Sequence, residues 1–188
     1  MTKDYINVSH PHRLLTPGCV VLISVGNGQD DNLFPIAWNM PVRKDPPMVA
    51  ILSGKRHYSY KFMEETGEFG LNIPDLSIAK KVMKAGKVSG NDVKDKFAES
   101  ELSKISAQHI KPPLIQEAIA RMECRISQIN NLGSSALIVA QILKSEVRQD
   151  CFSKGKWNFD SGLELIHHMG GAEFAVSDHS IDISGEII

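Results

Sequence analysis

Cysteine is scarce in this 188-residue chain: only Cys19, Cys124 and Cys151 occur, and no two form a CxxC pair. Thiols so few and so scattered exclude a disulfide frame and a thiolate zinc site, and they fit a reducing compartment. No apolar run reaches the ~18 residues that a membrane-spanning helix needs. The opening stretch, MTKDYINVSHPH, lacks the apolar centre of a secretory signal. A net charge of −1 and the lack of any long basic run argue against nucleic acid as a partner. GxSxG, HExxH, the Walker loop and the GxGxxG dinucleotide fingerprint are all missing. The chain therefore displays no acid, base or nucleophile of its own, so any chemistry would come from a bound group. The expectation is a cytoplasmic protein without membrane or nucleic-acid partners.

Ordinary globular material is present. Hydrophobic residues make up 42% and charged residues 23%, which argues against disorder. The length suits one domain, residues 1–188, with a real core. Cys19–Val25 is continuously apolar and reads as a buried strand. The run Gly26–Asn32 reads as a hairpin turn, because it lacks the spacing and closing Glu of a calcium loop. Phe34–Met40 alternates and reads as the return strand, broken at once by Pro41 and by Pro46–Pro47. Met48–Ser53 and Glu68–Ile73 read as further strands. Ala118–Ile129 and Ser134–Arg148 read as a long antiparallel pair about the turn NNLG. Short helices are expected around Tyr58–Glu65, closed by Gly67, and over Leu76–Gly86, closed by Gly86. Ser77–Pro113 is the expected helical insertion, and the residues after Gly155 form a tail of short pieces. Six or more strands with only short helices point to a mainly β fold, a closed or split antiparallel barrel.

The segment SGKRHYSYKF, Ser53–Phe62, joins a strand end to a helix start. Unpaired backbone N–H groups there, with Lys55, Arg56, a Ser hydroxyl and Gly54, suit a phosphate. Solvated cations and a capping Ser59 are the plainer alternative. Ala37–Met40 would line a groove with this loop if the strands are neighbours, leaving room for a flat ligand. Its plainer alternative is an edge strand blunted by prolines. Adjacent His167 and His168 point to opposite faces of a strand, so a shared metal is disfavoured and no metal site is expected.

The order strand–turn–AWNMP–PP–strand–SGKRHYS–helix–GEFGLNIP resembles the flavin reductase-like family of FMN-binding split barrels, and within it the flavoredoxin branch. KVSGNDVKDKF, PPLIQEAIARMECRI and LIHHMGG extend the likeness from about Leu15 to Phe174, leaving 175–188 as a tail. The resemblance implies a six-stranded Greek-key barrel, a homodimer, and one FMN per subunit near the dimer interface. It also implies site residues. Trp38, Asn39 and Met40 would border the flavin. Ser53, Arg56 and Ser59 would meet its phosphate, Ser59 standing where Thr is common in the family. Lys96 would approach the ring or the phosphate, and His168 or His167 would close the isoalloxazine side. The implied activity is reduction of bound FMN by transient NADH or NADPH, with electrons passing to a free flavin, a metal chelate or a protein. An electron carrier with tightly held FMN, and a domain that has lost its flavin, are the alternatives. No proton-transfer residue is indicated.

Overall fold

The computed structural model describes Ser9, residues 11–16 and residues 18–183. The opening stretch read for a targeting signal, and the end of the expected tail, lie largely outside them. Strands and helices follow in the order β1 Gly18–Cys19, β2 Val21–Gly26, β3 Asp31–Ile36, β4 Asn39–Lys44, β5 Pro47–Gly54, α1 Tyr60–Thr66, β6 Glu68–Ile73, α2 Ala79–Lys87 and α3 Lys96–Glu99. Then come β7 Lys104–Ile105, β8 Leu114–Ile115, β9 Ala120–Leu132, β10 Ser135–Val147, β11 Phe152–Ser153, β12 Lys156–Trp157, β13 Leu165–Gly170 and β14 Glu173–Ser177.

The principal sheet is antiparallel, with seven strands in the order β3-β2-β6-β9-β10-β5-β4. Laid flat, six steps of about 4.8 Å would put its edges about 29 Å apart. Yet the edge strands β3 and β4 are joined by Ala37 and Trp38 alone. Three Cα steps span about 11 Å at most. The sheet must therefore curl until its edges almost meet, which makes a barrel split along the β3/β4 seam. The returns of β6 to β2 and of β10 to β5 give it Greek-key character.

Phe34–Met40 is thus two strands, not one, and this raises the strand count from the expected six to seven. Pro41 does not end the ladder either. It lies within β4 opposite Val49, beside a register shift, on an edge strand where its missing N–H costs nothing. The GNGQDDN turn is closed by Asn27, whose Oδ1 accepts from Gln29 N and Asp30 N.

β2 is buried along its whole length because both its faces are covered. Val21, Ile23 and Val25 face the barrel interior with Val49, Phe69 and Ile138. Val20 and Leu22 belong to a second core with Leu33, Val82, Ala85 and Phe97, under α2 and α3. Gly67 ends α1 in the left-handed conformation, as expected of a C′ glycine. Gly86 does not close α2; it lies inside the helix. A Cβ there would come within 3.1 Å of Pro35 Cγ, so the glycine lets α2 press against β3.

The insertion after Ile73 is less helical than expected: two short helices, then the β7–β8 pair. Polar groups dock it. Asn72 Nδ2 donates to Leu22 O and Ser24 Oγ, each at 3.1 Å, while its Oδ1 accepts from Ile115 N at 2.9 Å. The buried Glu123 carboxylate accepts from the N–H groups of Gln108 and His109.

Candidate functional site

Three cavities adjoin along β3 and the seam. One of about 310 Å³ lies beside Asn32, Phe34 and Pro35. The next, about 470 Å³, shares Pro35, Gly86 and Lys87 with it and continues to Ala37, His168 and Phe174. The last, about 390 Å³, begins at Ala37 and runs past Trp38, Asn39 and Met40. The result is a groove with a cationic end and an apolar middle.

The cationic end collects Arg56, Ser59 and Lys96, with Lys87 at its rim. Among the described residues, no carboxylate lines it. Lys96 is the telling member. It is only 6% exposed, and its side chain makes no hydrogen bond or ion pair among the described residues. Asp95 caps α3 with its own carboxylate, which accepts from Phe97 N and Ala98 N, so it is not spent on Lys96. Burial pushes the Lys96 ammonium down to about 8. A buried cation without a counter-ion is costly, and an anion entering the cavity relieves that cost.

The start of α1 offers an anion few free amides. α1 has only seven residues, and Tyr60 N–H already donates to His57 O at 2.9 Å. Ser59 has right-handed helical φ and ψ and makes no capping bond. Its buried hydroxyl accepts instead from Asn32 Nδ2 at 2.8 Å. What this place offers an anion is therefore side chains rather than orphan amides.

Trp38, Asn39 and Met40 line the far cavity and not the cationic one. Trp38 and Met40 are about half exposed. Asn39 donates from Nδ2 to Cys19 O at 2.8 Å, which ties the start of β4 to β1. Ser53 lines none of the three cavities; its buried hydroxyl donates to Gly54 O at 3.4 Å. His168 lines the middle cavity, its Nε2 3.2 Å from Gly171 O and its ring against Phe174. His167 faces away, 2.9 Å from Ser177 Oγ, and burial lowers its pKa.

Residue-by-residue reading missed Asn32, Gly18 and Gly90. A Cβ on Gly18 would strike the Ala37 carbonyl, so the glycine admits β1 against the seam. A Cβ on Gly90 would strike the Tyr58 ring and approach Asn32 Nδ2 at 2.8 Å. Gly90 therefore lets the α2–α3 loop close over the cationic cavity. Gly90→Ala should push that loop off Tyr58 and weaken anion binding about tenfold, with a modest stability cost. Phosphate titration followed by intrinsic fluorescence measures it, and unchanged affinity would contradict the loop's role as a wall.

A family model described as flavin reductase like domain matches residues 13–171. The uncharacterized protein YddH of Escherichia coli K12 is 31% identical over 177 residues, covering 92% of this chain and 93% of its own. Two solved structures share the fold. The flavoredoxin of Desulfovibrio vulgaris (Miyazaki F) superposes with a TM-score of 0.82 at 19% identity, covering 98% of this chain and 97% of its own. The FMN-binding domain of a flavin reductases-like enzyme from Shewanella baltica OS155 gives 0.79 at 20% identity, with 94% and 95% covered. By a family match over most of its length, and by a full-length relative, the chain belongs to the flavin reductase like domain family.

Proposed function

We propose that the protein is an FMN-dependent oxidoreductase that takes electrons from NADH or NADPH and hands them to a small molecule or a redox protein. The phosphate occupies the Lys96 cavity, and the ring lies toward Ala37–Met40 and His168. The carrying observation is Lys96, a buried cation that lacks a counter-ion among the described residues and stands at one end of an apolar groove. A phosphate monoester supplies that counter-ion, with Arg56 and Ser59 as further donors. Family membership supports a flavin. Bound FMN supplies hydride acceptance and electron release. The chain's own residues bind the phosphate, orient the ring against the seam and keep water off it. The nicotinamide is held only transiently, since the sequence carries no dinucleotide fingerprint. We read the protein as a cytoplasmic homodimer in which Trp38 and, on the edge strand β4, Met40 and Val42 face the partner copy.

The purified protein should take up FMN, seen as quenched flavin fluorescence, and NADH or NADPH should bleach the bound flavin without oxygen. Failure to bind FMN would sink the proposal. Binding without bleaching by either nucleotide would make the protein an electron carrier instead. Replacing Arg56 and Ser59 together by Ala should weaken FMN about tenfold or more, through two lost phosphate donors. Unchanged affinity would move the phosphate elsewhere.

A further inference from the structure

We infer that Asn32 is a positioning residue that sets the Ser59 hydroxyl as a donor into the cationic cavity. The inference rests on the phosphate reading of that cavity. A serine hydroxyl has one proton to donate and lone pairs to accept with. Asn32 Nδ2 donates to Ser59 Oγ at 2.8 Å, which occupies an accepting lone pair. The proton of Ser59 must then point elsewhere. Among the described residues the hydroxyl has no hydrogen bond besides the one it accepts from Asn32, so the proton is not spent on a backbone carbonyl. The cavity shared with Lys96 and Arg56 is what remains open to it.

Asn32 is built for this task. It is 2% exposed and held on β3 opposite Val25, so its amide is fixed by the sheet. Its Oδ1 is buried and has no hydrogen-bond partner among the described residues. Such an orphan acceptor is costly. A residue serving packing alone would be better replaced by an apolar side chain, so the cost points to a role for the amide donor. Gly90 packs against the same Nδ2 and confines it. The carboxylates nearest in sequence are engaged otherwise: Asp30 accepts from Tyr58 Oη at 3.0 Å, and Asp31 pairs with Lys104 at 3.1 Å.

The test compares FMN with riboflavin, which differ only in the phosphate. Quenching of flavin fluorescence gives both affinities for the wild type, Asn32→Asp, Asn32→Leu, Ser59→Ala and the Asn32→Leu/Ser59→Ala double variant. Thermal melts confirm that each is folded. An aspartate can only accept, so Asn32→Asp turns the hydroxyl back and should weaken FMN at least about tenfold while sparing riboflavin. Asn32→Leu should weaken FMN several-fold, and Ser59→Ala should abolish that effect in the double variant. Asn32 acting through Ser59 is overturned by unchanged FMN affinity in Asn32→Asp and Asn32→Leu. An equal loss for riboflavin, or full additivity in the double variant, overturns it as well. A wild type that binds FMN no better than riboflavin fails the phosphate reading itself, a result distinguishable from the others.

Discussion

Lys96→Met should weaken FMN about a hundredfold, leave riboflavin nearly untouched, and make the flavin-free protein more stable. The first effect follows from removing one partner of a buried charge pair, which costs ~2–5 kcal/mol. The second follows because riboflavin has no phosphate. The third has its origin in the free protein, where Lys96 is buried beside the cavity with no counter-ion among the described residues. Its pKa falls from 10.5 to about 8, so holding the charge at neutral pH works against the folded state. Between those values the unfolded chain keeps the proton and the folded chain releases it. Stability of the flavin-free protein therefore rises with pH from about 8 to 10.5. Urea midpoints of wild type and Lys96→Met should differ most at neutral pH and converge near pH 10.5. Bound phosphate holds the proton on Lys96, so wild-type FMN affinity should fall as pH rises above about 8. A variant less stable than wild type at neutral pH, or an FMN affinity flat across that range, would contradict the unpaired-cation account.

Glu123→Ala should cost about 3–5 kcal/mol of stability, the largest loss expected from any single polar side chain here. The residue is 1% exposed and lies opposite Gly70 in the β6–β9 pairing. Its carboxylate accepts from Gln108 N at 3.0 and 3.1 Å and from His109 N at 2.5 Å. Alanine leaves those amides without acceptors, under a segment that also leans on Asn72 through Ile115 N. Glu123→Gln keeps the shape and one acceptor oxygen, so it should cost only about 1–2 kcal/mol. Urea midpoints order the three proteins, and equal losses for Ala and Gln would show that charge, not acceptor geometry, holds the segment.

Legibility in the sequence tracked locality. β2, β5, β6 and the β9–β10 hairpin were readable because apolar continuity or alternation persists over a whole strand. The seam was not, because Phe34, Ile36, Trp38 and Met40 keep alternating straight through the break. Only the closing of the sheet forces Ala37–Trp38 to turn, and that is a tertiary demand. Gly86 carried the mark of a helix end but answers to Pro35, which is distant in sequence. In the sequence, Lys96 stands out through family likeness alone. Its burial, with no counter-ion among the described residues, arises only when the α2–α3 loop folds over β3. Asn32 sat in a polar run that read as a turn, and nothing local distinguished it from Asp30 or Asp31.

The split between β3 and β4 is the part of the barrel wall that has no ladder of backbone bonds, and Ala37–Trp38 is its hinge pin. Thermal breathing of the wall will concentrate there, since parting those edges breaks the fewest bonds. A rigid molecule laid from Lys96 past Ala37 would act as a stitch across that gap. Amides of β3 and β4 should then exchange more slowly with solvent once it is in place, while those of the β9–β10 hairpin keep their pace.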